Sequence, residues 1–261
     1  MPIKESRILF LLAAINFTHI LDFMIMMPLG NYLIPSFGLS ASQFTILVSA
    51  YAFSAGISSF LAAFYANKYD RKQILIRGYL GFLLGTLACG LAPSYEWLLL
   101  ARVTAGVFGG LLAAQVISII ADLIPFERRG KAMGRVMAAF AVSSTLGVPF
   151  ALYLANLISW HAPFILVAVL GLALLPFLHK DLPSMTGHLT QQDPPSSTQV
   201  IKQVFANVNQ RRALLFSGLM FMGHFMIIPF INPFLEFNKG FDKQHTPLVY
   251  LFGGICAFFA A

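Results

Sequence analysis

The fold of this chain is decided by a short polar loop between two long apolar segments, Ala63-Phe-Tyr-Ala-Asn-Lys-Tyr-Asp-Arg-Lys-Gln-Ile-Leu75. The loop carries Lys68, Arg71 and Lys72, and Arg77 follows closely. A loop this short and this basic stays on the cytoplasmic side of a bilayer, because the Lys and Arg bias of short loops sets the orientation of membrane helices. This assignment predicts the direction in which every later segment crosses the membrane.

The composition indicates an integral membrane protein in a lipid bilayer. The chain is 58% hydrophobic and 10% charged, with a mean hydropathy of +0.77, whereas a soluble domain is about 25% charged. The net charge of +7 comes from basic residues in short loops between apolar runs. That pattern is typical of membrane topology and predicts no nucleic-acid partner. Cys89 and Cys256 lie in apolar segments without ligand spacing, so neither a metal site, a disulfide framework nor a cofactor is predicted.

Apolar runs of about 20 residues, long enough to cross the hydrocarbon layer as helices, recur along the chain. They lie near 8–30, 44–66, 74–92, 98–123, 132–156, 162–179 and 212–235, and an eighth begins near 247. The first run is too long for a cleaved signal peptide and contains Asp22, so we expect it to be retained. Most basic residues fall at the N-terminus and in the even-numbered loops, while the loop at 31–43 is uncharged. The prediction is a multi-pass cell-membrane protein with a cytoplasmic N-terminus.

A polar segment rich in Pro and Ser separates the first six runs from the rest of the chain. The stretch that follows it repeats part of the first run, pairing Pro28 with Pro229 and Asn31 with Asn232. Such a parallel repeat is described for transporters whose halves are related by an axis along the membrane normal. The predicted parts are a six-helix transmembrane half at 1–179, a cytoplasmic linker at 180–211 and the start of a second half at 212–261.

The loop quoted above resembles the signature between the second and third helices of the major facilitator superfamily. The matching residues are Lys68, Arg71, Lys72 and Leu75, and the departures are Ala63, Tyr65, Asn67 and Asp70. Asn67 stands where the family has an acidic residue, so the family's charge relay is not complete here. By resemblance, the cytoplasmic gating residues are Lys68, Asp70, Arg71, Lys72, Asp122, Arg128 and Arg129. The resemblance further implies that Arg71 pairs with Asp122 as a latch.

Four further stretches resemble motifs of the same family. They are Leu98 to Gly110, Asp122 to Lys131, Gly147-Val-Pro149, and Leu21 to Pro28. Gly147-Val-Pro149 resembles a glycine-proline motif of the family's antiporters. Leu21 to Pro28 resembles the first-helix motif of the drug:proton antiporter branch and the related sugar-efflux permeases. The resemblance implies an all-α membrane protein, a major facilitator-type helical bundle. It would hold a complete N-terminal six-helix half plus the first one to two helices of a second half, with the eighth span cut short.

Charged residues inside the spans are the candidate functional groups, because an ionisable side chain at membrane depth is costly and usually faces a cavity or a partner. At 1.5 Å per residue, Asp22 lies roughly 12 Å and Arg102 roughly 8 Å below the outer surface. The two opposite charges therefore share a depth, and His19 shares the helix face of Asp22. Asp22 either couples transport to protons or forms a structural ion pair with Arg102. His19 is either part of that site or an ordinary hydrogen-bonded polar side chain, and His224 is a weaker candidate in the seventh span.

Glycine and proline residues in the spans have two interpretations. Gly106, Gly109 and Gly110 let another helix approach the fourth span closely, the commonest use of small residues in membrane helices. Gly147 and Pro149 permit a kink in the fifth span, and by resemblance they form an antiporter motif.

The predicted function is a secondary active transporter that exports a small molecule, such as a drug-like compound, a sugar or a metabolite, by alternating access and in exchange for protons. We expect a monomer at full length. An uncoupled facilitator, a sensor of the same fold and an inactive fragment remain alternatives. An enzyme using His19 and Asp22 as acid and base is not predicted, because no nucleophile or cofactor motif accompanies them. Since such transporters bind substrate between two halves, we expect residues 1–261 alone to insert but not to export.

Overall fold

The computed structural model describes residues 3–187 and 197–260, and within these ranges the chain is helical, without a β-strand. The helices are α1 (Ile3–Ile25), α2 (Gly30–Phe37), α3 (Ala41–Tyr65), α4 (Arg71–Gly90), α5 (Tyr95–Leu123), α6 (Phe126–Val142), α7 (Val148–Leu157), α8 (Ala162–Asp181), α9 (Ser197–Ala206), α10 (Val208–Pro233) and α11 (Thr246–Ala260). Six crossings in the described part are long and apolar enough to span a membrane: α1, α3, α4, α5, α6 with α7, and α8. They correspond to the first six predicted spans.

The end of the first predicted span and the loop after it differ from the prediction. Regular helix ends at Ile25, and a turn over residues 26–29 leads directly into α2. Pro28 accounts for the break, because a proline disfavours helical geometry at the residue before it and donates no backbone hydrogen bond. Most of the predicted loop at 31–43 is therefore helix. Gly38 ends α2 with a left-handed backbone (φ 62°), and its N–H donates to the Ile34 carbonyl.

The fifth crossing is continuous but irregular. A π-helical turn at Ser143–Gly147 joins α6 to α7. Such a turn is expected here because Pro149 donates no backbone hydrogen bond and so interrupts the regular helical pattern. The turn lies against α1: Ser143 Oγ donates to the Phe17 carbonyl at 3.1 Å. A Cβ on Gly147 would lie 2.9 Å from the Leu21 side chain. The glycine thus allows the close contact with α1, and α11 packs on the same turn and on α7.

Helices α3 and α5 pack closely against each other. A Cβ on Gly110 would overlap the Ala55 carbonyl, and one on Gly106 would overlap Ser54 Oγ. At this close approach Ser59 Oγ donates to the Gly110 carbonyl at 2.7 Å. The two glycines, four residues apart, therefore serve helix packing, as the small-residue interpretation predicted.

Apart from a small group of four residues, the described interior consists of two large apolar clusters, one above the other. One cluster contains Ile8 to Ile15 of α1 with Tyr79 and Phe82 of α4, and the other begins at Leu21 and contains α2 and the first turns of α3 and α5. The boundary between them is polar. Its buried members are Thr18, Asp22, Thr86 and Arg102.

The structure describes only part of the polar segment after α8. The predicted linker at 180–211 contains α9 and the start of α10, and its residues 188–196 lie outside the described residues. The seventh predicted span corresponds to α10 and the eighth to α11. The side chains of His224, Pro229 and Asn232 are also outside the description, so the internal repeat stays a prediction.

We expect Gly110→Val to destabilise the bundle, because the new side chain meets the backbone of Ala55, which cannot rotate away. Overpacking of this kind costs about 1–3 kcal/mol in the free energy of unfolding. SDS titration of the purified protein, followed by circular dichroism, measures the loss. Gly134→Val is the matched control, because it has the same propensity cost inside a helix but meets no atom within 4 Å. Equal losses in both variants would contradict the close-packing explanation.

Candidate functional site

The polar boundary layer contains a fully buried ion pair. Arg102 Nη1 of α5 lies 2.9 Å from Asp22 Oδ2 of α1, and neither side chain is exposed. The same nitrogen lies 3.4 Å from the Asp22 backbone carbonyl. Asp22 and Arg102, which the sequence predicts at a similar membrane depth, are therefore in direct contact. Enclosed charges require pairing and further hydrogen bonds to remain ionised, so the neighbours of this pair matter.

Aromatic side chains and one glycine lie next to the pair. The guanidinium carbon of Arg102 lies 4.3 Å above the ring centre of Tyr51 from α3, within the range of a cation–π interaction. The His19 ring lies beside both Tyr51 and Phe82, with ring centres 6.1 and 5.7 Å apart. A Cβ on Gly109 would overlap the Tyr51 hydroxyl and lie 2.9 Å from His19 Nε2. Gly109 therefore makes room for polar side chains, a role that helix packing alone did not predict.

Several polar atoms in this cluster are buried without a hydrogen-bond partner in the described part of the chain. They are Asp22 Oδ1, His19 Nδ1, the Tyr51 hydroxyl, the Thr86 hydroxyl, and Nε and Nη2 of Arg102. Buried polar groups are nearly always paired in proteins, and unpaired ones concentrate where water, an ion or a ligand binds. Six such atoms in one cluster, on four crossing helices, mark a polar site at membrane depth where water, an ion or a ligand can bind.

A second ion pair lies at the other end of α5. Arg71, the first residue of α4, contacts Asp122 in the last turn of α5 through its Nε. The Arg71 side chain is buried, while Asp122 remains 31% exposed. A cavity of about 300 Å³ adjoins the pair, with Gln115 of α5 and Val200 of α9 in its wall. The pairing that the family resemblance implied is thus present, in a partly solvated position.

Asp70 has a different set of partners. Its carboxylate accepts hydrogen bonds from Lys72 N at the start of α4, from Met185 N at 2.9 Å and from Ser184 Oγ at 2.5 Å. Although burial would raise the pKa of the Asp70 carboxyl, the hydrogen bonds from Ser184, Met185 and Lys72 hold that pKa below its ordinary value. Asp70 therefore ties the segment after α8 to the loop before α4.

The other predicted loop residues separate into individual contacts. Lys72 Nζ donates to the His179 carbonyl at 2.7 Å, near the end of α8. Arg129 donates to two backbone carbonyls at the end of α5, and Lys68 is exposed in a short 3-10 turn. Arg128 pairs with Glu5 through two hydrogen bonds of 3.0 and 3.2 Å. The predicted gating residues thus join α1, α4, α5, α6 and α8 at one membrane face through separate contacts rather than one network.

Sequence reasoning missed Tyr51 and Glu5. Tyr51 belongs to a stripe of buried polar residues on α3 that continues with Ser54 and Ser58, and this three-to-four-residue spacing within an apolar span was a usable signal. Glu5 had no comparable signal, because its partner is 123 residues away. Among the residues described, no three His, Cys, Asp or Glu side chains lie close enough to hold a metal ion.

Comparison with known proteins places these observations in a family. The model of the Major Facilitator Superfamily matches residues 12–261. The chain is 28% identical over 218 residues to the "Uncharacterized MFS-type transporter YceJ" of Bacillus subtilis, covering 82% of this chain and 55% of the relative. It is 25% identical over 249 residues to the "Purine ribonucleoside efflux pump NepI" of Salmonella enteritidis, covering 95% of this chain and 60% of the relative.

Among solved structures, the fold is similar to a bacterial homologue of the human lysosomal transporter Spinster in an inward-facing, unoccupied conformation. The TM-score is 0.77 at 20% identity, over 99% of this chain and 61% of that chain. The chain spans little more than half the length of the curated relatives it matches. The predicted fold, a six-helix half followed by the first helices of a second, is confirmed.

We expect Arg102→Met to lower the free energy of unfolding by about 3–5 kcal/mol, because removal of one partner leaves the other charge buried and unpaired. Adding Asp22→Asn to that variant should recover part of the loss, since the uncompensated charge is then gone. SDS titration of the purified variants checks both changes. Val103→Met is the control, an exposed neighbour on the same helix. A double variant no more stable than Arg102→Met alone would contradict the ion-pair account.

Proposed function

Because the chain belongs to the major facilitator superfamily, a family of transporters, we propose that the protein exports a small organic molecule by alternating access in exchange for protons. Substrate is bound between the six-helix half formed by 1–179 and a second half that begins after the linker at 180–211. The N-terminus faces the cytoplasm, since the basic loops share its side. The partners in this proposal are the lipid bilayer, a small-molecule substrate and protons; no enzymatic step is involved.

The observation that carries the proposal is the fully enclosed Asp22–Arg102 pair. In its ionised form the pair is neutral overall, which an apolar interior tolerates. Protonation of Asp22 leaves Arg102 as a single uncompensated charge at membrane depth, and that state is costly. The protonated half is therefore biased towards a conformation in which water reaches Arg102, and a proton on Asp22 competes with substrate for the cavity. Two states that differ by one proton are what coupled transport requires.

His19 and Tyr51 support the same site. Both side chains carry buried atoms without partners beside the pair, so each can exchange hydrogen bonds with water or substrate when the site opens. Gly109 keeps the space that both occupy. We assign Asp22 as the proton-binding residue, Arg102 as its counter-ion, and His19 and Tyr51 as positioning residues.

The proposed direction of transport and the proposed substrate class are supported by a relative and by a sequence motif. The alignment with the purine ribonucleoside efflux pump NepI covers 95% of this chain. That relative's name supports export, and it supports a substrate about the size of a nucleoside. Gly147 ends a π-helical turn that contacts both α1 and α11, and Pro149 follows two residues later. A bend at this point would move the two halves relative to each other. We therefore propose a nucleoside-sized, sugar-like or drug-like molecule as the exported compound.

The second ion pair is proposed as the cytoplasmic latch. Arg71 and Asp122 join the start of α4 to the end of α5, and the exposed fraction of Asp122 leaves the pair accessible to water. Such a partly solvated contact can break and re-form during a transport cycle, because its net stabilisation is modest. The pair would be closed in the outward-facing state and weakened when the cytoplasmic side opens.

We expect Asp22→Asn to remove pH-gradient-driven export, because the amide keeps the shape of the carboxyl but does not bind the transported proton. Exchange of labelled substrate across the membrane without a gradient should persist. The assay uses everted vesicles holding the protein at its natural length, first screened with dyes, sugars and purine nucleosides. Glu96→Gln, an exposed carboxyl in the first turn of α5, is the matched control and should export normally.

Wild-type flux that ignores the pH gradient would favour an uncoupled facilitator of the same fold. Unchanged gradient-driven export by Asp22→Asn would remove that residue from the coupling step. Size-exclusion chromatography of each variant separates a loss of transport from a loss of folding.

Arg71→Ala should slow transport about fivefold without loss of folded protein, the effect of removing a contact worth about 1 kcal/mol. Initial export rates in the same vesicles provide the measurement. Lys68→Ala serves as the control, since it removes an exposed cation of the same loop. The latch would be refuted by equal rates in the two variants.

A further inference from the structure

A cavity between the beginning of α1 and the end of α8 has no part in the proposed transport site. Its volume is about 690 Å³, and its walls include Arg7, Phe10 and Leu11 of α1 and Leu174, Phe177 and Lys180 of α8. Fifteen residues separate Arg7 from Asp22, which is roughly 22 Å along a helix. The cavity is therefore well removed from the buried ion pair.

The mouth of the cavity is positively charged. Arg7 and Lys180 are exposed, and neither has an ion pair with any residue that the structure describes. Asp181 and Ser6 also lie at the rim. Two cations against one carboxylate leave a charge of +1, which favours a ligand with one net negative charge and with hydroxyl groups for the carboxylate and the serine.

The deeper walls are apolar and face outwards. Phe10 is 70% and Phe177 is 56% exposed, and each lies three residues, almost one helical turn, from the cation on its own helix. Leu174 lies a further turn along α8, roughly 9 Å from Lys180. The surface thus changes from cationic to apolar along the direction in which the helices cross the membrane. A soluble anion would use only the first part of it.

We propose that this cavity binds a phospholipid with an anionic headgroup of the phosphatidylglycerol type, from the leaflet at the face where α1 begins. The phosphate lies between Arg7 and Lys180, and the headgroup hydroxyls lie near Asp181 and Ser6. One acyl chain runs along Phe10, Phe177 and Leu174. Basic pockets between membrane helices at the surface bind anionic lipids through the same combination of charge and apolar contact.

Native mass spectrometry of the purified protein at its natural length tests the site. The probes are phosphatidylglycerol, phosphatidylethanolamine, phosphatidylcholine and glycerol 3-phosphate. We expect one phosphatidylglycerol to bind more tightly than either zwitterionic lipid, and glycerol 3-phosphate to bind far more weakly. Arg7→Ala with Lys180→Ala should weaken phosphatidylglycerol binding about 30-fold, since each cation near a membrane surface contributes about fivefold.

Lys202→Ala with Arg212→Ala is the matched control, because it removes the same charge from exposed positions outside the cavity. It should leave lipid affinity unchanged. Phe10→Ala keeps both cations and should weaken phosphatidylglycerol several-fold without affecting glycerol 3-phosphate, so the site is tested even if the double cation variant does not fold. Equal affinity for phosphatidylglycerol and the zwitterionic lipids, equal losses in the two double variants, or binding of glycerol 3-phosphate as tight as that of the lipid would each overturn the proposal.

Discussion

The structure depends on the enclosure of two opposite charges at membrane depth. Asp22 and Arg102 are both fully buried, and a charge in such surroundings is stable only with its partner and with further polar contacts. Those contacts come from different crossings: the counter-charge from α5, the aromatic face of Tyr51 from α3, and Thr86 from α4 within the same buried layer. Four helices must therefore hold a fixed relative position for the pair to exist.

The apolar packing around this layer fixes that position. Gly106 and Gly110 bring α5 against the backbone of α3, which sets the rotation of α5 and directs Arg102 towards α1. Apolar clusters lie on both sides of the polar residues. Because packed interiors do not deform continuously, we expect the pair in the proposed cycle to respond to a change of charge by a change between arrangements rather than by gradual loosening.

Much of this was predictable because the bilayer imposes simple rules. Crossing length, the side of the basic loops and the common depth of Asp22 and Arg102 follow from helix rise and charge bias. The rotation of each helix does not follow from those rules, so the contacts of Tyr51 and Gly109 were not found. Asp70 was named for a gating role, but its hydrogen bonds to Ser184 and Met185 join residues more than a hundred positions apart. The helix α2 was missed because its eight residues are too short for an apolar run.

One helix carries a member of each ion pair. Arg102 lies in the outer part of α5 and Asp122 in its last turn, so twenty residues, roughly 30 Å of continuous helix, connect them. No proline interrupts this helix, and α5 therefore transmits a tilt or shift from one end to the other. In the proposed cycle, loss of the Asp22 charge weakens the ionic contact between α1 and α5. The Arg71–Asp122 contact at the far end is only partly buried and is the weaker of the two. Within the proposed cycle, a proton bound in the middle of the membrane therefore acts on the cytoplasmic contact through a rigid helix, without a chain of side chains between the two sites.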